Sequence, residues 1–211
     1  MRRYAPWIML FCIALLLLLP AGCGTSQASR FYTLNPVTTG PAFPPSSGPA
    51  ASIAIQSVEI PDYLDRPEIV TRNGNNGLEL AEFDRWAGEL QKDIARVLAE
   101  TMSARLPENN VFVLTGRRVA PADYTITVHV TRFDPVPGNA VRLKAMWTIM
   151  GKDGSHLVAR GESSLSEPIQ GQNYGAIVAA MSRAVDQLGK ELVGAMKPML
   201  SEKDRAAGTT D

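Results

Sequence analysis

Cys23 is the residue whose surroundings most clearly call for chemistry. It follows Ala21-Gly22, and before those comes an unbroken apolar run from Trp7 to Leu19 behind the basic Arg2 and Arg3. A thiol in that place can be alkylated by a diacylglyceryl donor, after which the chain is cut between Gly22 and Cys23. Small residues suit the cut, because a peptidase must bring the backbone close to its catalytic groups. Pro20 stands where such signals usually carry leucine, with Leu19 one place further out. The apolar run is 13 residues long, short of the roughly 17–25 that a spanning helix needs. Residues 1–22 therefore read as a signal peptide and Cys23 as the lipid attachment site. Gly24 rather than aspartate follows the cysteine, which favours sorting to the outer membrane.

Other reactive residue types are sparse. His129 lies mid-strand between two valines and His156 beside a turn, places where histidines are usually solvated rather than catalytic. There is no His-Glu-x-x-His, no Gly-x-Ser-x-Gly and no Walker loop. The expectation is a protein that is not an enzyme and has no metal or cofactor. Asp62 and Asp65 flank Tyr63 and read as a solvated loop rather than a carboxylate pair. Pro61 and Pro67 bracket that loop and hold its aromatic outward. Aromatics on stiff loops are typical interface anchors, so Tyr63, with Asp62 and Leu64, is the candidate partner-binding group. Trp86 reads as core.

Cleavage before Cys23 leaves 189 of the 211 residues, enough for one sizeable core. Without Arg2 and Arg3 the body has 19 basic and 21 acidic residues. It lacks the basic stripe that nucleic acid would want. Cys12 leaves with the signal and Cys23 is lipidated, so the body has no thiol and no disulfide.

The elements follow in chain order. Gly24 to Arg30 is a short polar tether and Phe31 to Leu34 a first strand. Val37 to Ser52 is a proline-rich, uncharged linker. Ile53, Ile55 and Val58 open a second strand that closes at Ile60-Pro61. Glu68–Arg72 and Leu78–Phe83 form a hairpin across an Asn/Gly-rich turn. Asp84 reads as a helix N-cap. Beyond it Trp86, Leu90, Ile94, Val97, Leu98 and Met102 recur at helical spacing up to Leu106. Val111–Leu114 is a short strand. Tyr124–Val130, Val141–Ile149 and Leu157–Leu165 alternate as half-buried strands. A last amphipathic helix runs from Tyr174 and ends at Pro198, before a polar tail over 201–211. The sum is an α/β single domain over 53–200, a mixed β-sheet packed against two amphipathic helices. Residues 23–52 carry the lipidated cysteine, tether, first strand and linker.

The residues also carry a family resemblance. Phe31-Tyr32-Thr33-Leu34 stands just after the lipidated cysteine, and Val58-Glu59-Ile60-Pro61-Asp62-Tyr63-Leu64 follows. A hairpin then leads into Trp86-Ala87-Gly88-Glu89-Leu90, and the Val128–Phe133 and Trp147 strands come later. In that order they resemble the ABC-type transport auxiliary lipoproteins, the paraquat-inducible protein C family, over nearly all of the mature chain. The resemblance implies a fold like the anticodon-binding and TolB N-terminal domains. It implies a non-catalytic auxiliary role in lipid traffic across a Gram-negative envelope, beside MCE-domain proteins and their transporter subunits. The expected location is the inner leaflet of the outer membrane, facing the periplasm, with a homo-oligomeric ring as a natural match to a symmetric conduit. An envelope assembly or scaffolding lipoprotein is the alternative.

Overall fold

The computed structural model describes residues 27–37, 51–106, 111–115, 122–152 and 154–207. Cys23, the signal segment, most of the proline-rich linker and the last four residues lie outside the described residues. Eight strands and two helices occur among those described. They are β1 (Arg30–Tyr32), β2 (Ala51–Glu59), β3 (Glu68–Asn73), β4 (Gly77–Trp86), α1 (Leu90–Arg105), β5 (Val111–Thr115), β6 (Tyr124–Pro135), β7 (Ala140–Gly151), β8 (Leu157–Pro168) and α2 (Tyr174–Ala207).

The mixed sheet has the order β5-β2-β6-β7-β8. β2 runs parallel to both β5 and β6, and β6-β7-β8 is an antiparallel meander. Period-two alternation decides which face is buried. Val128 and Val130 on β6, with Val141, Leu143 and Ala145 on β7, are essentially inaccessible, while His129, Lys144 and Met146 between them are exposed. Against the buried face pack Ile94, Val97, Leu98 and Met102 of α1 and Met181, Val185, Leu188 and Leu192 of α2. Their spacing of three and four residues places them on one side of each helix. His129 lies on the outer face, with its Nδ1 3.2 Å from Glu59 of the neighbouring strand.

A second, three-stranded sheet has the order β1-β4-β3. The hairpin β3–β4 forms over the Asn/Gly turn as its residues require, with Gly74 at a φ of 66°. β1 then adds in parallel to β4, pairing Arg30 with Asp84 and Tyr32 with Trp86.

Two sequence expectations are corrected here. Asp84 and Trp86 belong to β4, not to a helix, and α1 starts after Glu89. The backbone N–H of Trp86 donates to Pro67 at 2.7 Å and that of Ala87 to Tyr32 at 2.8 Å, so ladder partners hold this segment extended. Trp86 is core as expected, at 5% exposure. Pro198 does not end α2, which continues to Ala207. The ring of Pro198 faces solvent and Leu200 beyond it is buried, so packing past the proline offsets the lost hydrogen bond.

Candidate functional site

The Pro61–Pro67 loop is built from a single 3-10 turn over Asp62–Leu64. The Leu64 N–H donates to Pro61 at 2.9 Å and the Asp65 N–H to Asp62 at 3.2 Å. Such a tight turn sends successive side chains in different directions. Asp62 is exposed, Tyr63 is half-buried and Leu64 is core, 3% exposed. The expected outward aromatic is thus corrected. The phenolic hydroxyl of Tyr63 donates to Asp134 at 2.5 Å. Leu64 has no accessible face to offer a partner, because it fills the space beneath the turn.

Asp134 is itself 1% exposed and gathers three donors. Besides Tyr63 these are Arg72 of β3 at 2.7 Å and Arg132 of β6 at 2.8 Å. A buried carboxylate is costly unless charge and hydrogen bonds compensate it. Here both are supplied, and the cluster joins the three-stranded sheet, the loop and the five-stranded sheet. Burial, then the bond to Asp134, push the Tyr63 hydroxyl up to about 12. The bond to Asp134 raises Arg72 further above its ordinary value. The loop is therefore a rigid shelf on which Asp62, Asp65, Arg66 and Pro67 are exposed, with Asp65 held by the Gln91 side-chain amide at 2.9 Å.

A second place lies where the chain enters the body. Arg30 grips Asp84 with two hydrogen bonds of 2.8 Å, and the Tyr32 hydroxyl donates to the same carboxylate at 2.7 Å. Burial alone would raise the Asp84 carboxyl, but the bonds from Arg30 and Tyr32 outweigh it and bring it below the ordinary value. Past β1 the strand becomes a strap across both helices. The Leu34 N–H donates to Asp93 at 2.7 Å, Arg96 donates to the Leu34 carbonyl at 2.5 Å, and the Asn35 N–H donates to the Ser182 hydroxyl at 3.1 Å. The Leu34 side chain is fully buried. Beside the strap runs an open groove of about 520 Å³ between residues 31–37 and the first turns of α2. No local sequence pattern marks this groove, because its two walls are some 140 residues apart in the chain.

Among the described residues no group of three or more His, Cys, Asp or Glu side chains could hold a metal ion. No helix among them is long and apolar enough to cross a membrane. The arrangement offers a rigid shelf at Asp62 and a partly apolar groove at Phe31, both suited to contact.

Comparison with known proteins adds to this geometry. The family model described as "ABC-type transport auxiliary lipoprotein component" matches residues 32–193. The Escherichia coli (strain K12) protein named intermembrane transport lipoprotein PqiC is 25% identical over 129 residues, covering 61% of this chain and 67% of its own. The Shigella flexneri protein of that name matches equally. Among solved structures, protein XCC0632 from Xanthomonas campestris superposes with a TM-score of 0.64 at 18% identity, covering 84% of this chain and 99% of its own. An uncharacterized protein gives 0.66 at 19% identity, with 81% and 99% covered. Both share the fold.

Proposed function

The chain belongs to the ABC-type transport auxiliary lipoprotein family, and from that premise we propose that it is the non-catalytic, lipid-anchored auxiliary component of an MCE-type lipid transport system. Cys23 carries the anchor. The body faces the periplasm from the inner leaflet of the outer membrane, where Gly24 rather than aspartate directs it.

The observation that carries this reading is the family match over residues 32–193 directly behind the Cys23 attachment signal. The likeness to a protein named an intermembrane transport lipoprotein supports transport between membranes as the process. The partners are an MCE-domain protein and its associated transporter subunits. A homo-oligomeric ring of the body would continue a symmetric conduit, since identical subunits usually close by rotation. Of the three loop residues, Asp62 and the open flank of Tyr63 are the partner contact, with Leu64 supporting them from the core. A stiff loop loses little entropy on binding, so few contacts suffice there.

The test is made in cells. A photoreactive amino acid at position 62 should crosslink to an MCE-domain protein, and Gly24→Asp should move the protein to inner-membrane fractions. Cys23→Ser should abolish acyl labelling and leave an uncleaved precursor. Crosslinks without any MCE-domain protein, with lipid distribution between the membranes unchanged on deletion, would reject the role.

A further inference from the structure

The tether sets a length scale. Three residues lie between Cys23 and Gln27, where the described chain begins, so four residue steps join them, and an extended chain covers at most about 3.6 Å per step. The backbone of Cys23 is thus within ~14 Å of Gln27 and ~29 Å of Phe31. The 34 residues of α2 span roughly 51 Å at 1.5 Å per residue. Gly175 and Val178, in the first turns of α2, line the groove beside Phe31. The groove is therefore at the end of the body that the anchor reaches, and the far end of α2 is beyond the tether.

That end is also where apolar surface is left in water. Phe31 at 64% and Val37 at 54% are the most exposed large hydrophobic side chains among the described residues, and both line this one groove. Isolated exposed hydrophobics are ordinary; the two most exposed meeting on one rim call for an occupant. The charges nearby are already matched. Arg30 is held by Asp84, and Arg183 donates to Glu167 and to the Pro168 carbonyl. Nothing charged need be stripped of its partner when the rim leaves water. Two side chains of this size cover a few hundred Å² at most, well short of the ~800 Å² per partner that a stable protein interface buries. They do match the interfacial zone of a bilayer, where aromatic and aliphatic side chains enter the headgroup–acyl boundary.

We propose that this groove is the bilayer-facing surface of the protein, with Phe31 and Val37 seated in the interface of the membrane that holds Cys23. The proposal rests on lipidation at Cys23. A short anchor and a shallow apolar foothold at its root would fix which way the body points. The Asp62 shelf and the outer face of the large sheet would then keep a constant orientation toward the periplasm.

The test uses the full-length lipidated protein in vesicles of phosphatidylethanolamine and phosphatidylglycerol. The sequence has only Cys12 and Cys23, so a cysteine introduced into the processed, acylated chain is its sole free thiol. Phe31→Cys, Val37→Cys and, as a reference on the outer sheet face, Met146→Cys are labelled with an environment-sensitive fluorophore. Brominated acyl chains should quench the labels at 31 and 37 several-fold more than the label at 146, and aqueous iodide should do the reverse. Equal iodide quenching at all three positions overturns the proposal. Shielding from iodide without quenching by brominated lipid assigns the groove to protein, a second copy or a partner, and overturns it as well. Mass spectrometry separates the two readings. A processed chain that lacks acyl groups and takes a second label at Cys23 refutes the anchor. An acylated, vesicle-bound chain whose labels at 31 and 37 stay in water refutes the membrane-facing groove alone.

Discussion

The indole of Trp147 on β7 lies over Gly161, its registered partner on β8, so closely that a Cβ at 161 would fall 2.3 Å from the ring carbon Cζ2. The ring is fixed from its other side as well. Its Nε1–H donates to the buried Ser163 hydroxyl at 3.1 Å, and Ser163 in turn donates to Glu191 of α2. Gly161→Ala must displace the ring and break this relay from sheet to helix. The expected cost is about 1–3 kcal/mol, as overpacking usually gives. Urea unfolding should show it, with a red shift in tryptophan emission. Replacing Trp147 by Phe in the same chain should shrink the penalty. An alanine at 161 without effect would show that the contact is loose.

Tyr63 gives a prediction with a pH signature. Tyr63→Phe keeps the ring but removes the bond to Asp134, and should cost about 1.5–3 kcal/mol at neutral pH, as for hydrogen bonds to charged groups. The hydroxyl is raised from 10.0 to about 12 in the fold. A raised acid holds its proton more tightly when folded. Its contribution is therefore complete below pH 10 and is lost as pH climbs toward about 12. The stability gap between wild type and Tyr63→Phe should close across that window. A gap that stays constant from pH 9 to pH 12 contradicts the bond.

Which features were legible in the sequence depended on the distance to their partners. The meander β6-β7-β8 was readable, because strand alternation is a local signal. The β3–β4 hairpin was readable for the same reason. Asp84 and Trp86 were misread, because Trp86, Leu90 and Ile94 stand at helical spacing and Asp84 precedes them like a cap. What holds them in a strand is Arg30 and Tyr32, more than 50 residues earlier, and local periodicity has no access to that. At the candidate site, the stiffness of the Pro61–Pro67 loop was visible and the direction of Tyr63 was not. Its bond partner is Asp134, 71 residues away.

The bond between Arg30 and Asp84 should decide whether β1 stays docked. Asp84 is nearly inaccessible, and the bonds from Arg30 and Tyr32 hold its carboxyl below the ordinary aspartate value. A lowered acid contributes stability above its unfolded value and loses it as pH falls through the folded one. Hydrogen exchange at the β1 amides should therefore accelerate in the wild type only as the pH falls below the ordinary aspartate range. Asp84→Asn should already exchange faster at pH 7 and show no acid step. If the variant protects β1 as well as the wild type, other contacts hold the strand and the tether is anchored elsewhere.

The two helices cross at Gly189, where competing effects can be weighed. A Cβ there would lie 2.7 Å from Cγ2 of Thr101 and 3.1 Å from its Cβ. In an open helix Gly→Ala gains about 1 kcal/mol of propensity. Here the overpacking term, about 1–3 kcal/mol, should win. Thr101 is fully buried and its hydroxyl donates to Asp186 at 3.3 Å, so the side chain cannot turn aside without giving up that bond. Gly189→Ala alone should therefore lower stability. Thr101→Ser removes Cγ2 and keeps the hydroxyl, leaving only the 3.1 Å contact, which a shift of a few tenths of an ångström relieves. In that background Gly189→Ala should become neutral or stabilising, because the propensity gain is no longer opposed. A double-mutant cycle in urea measures the coupling directly. Additive effects would mean that the helices do not meet at these two residues.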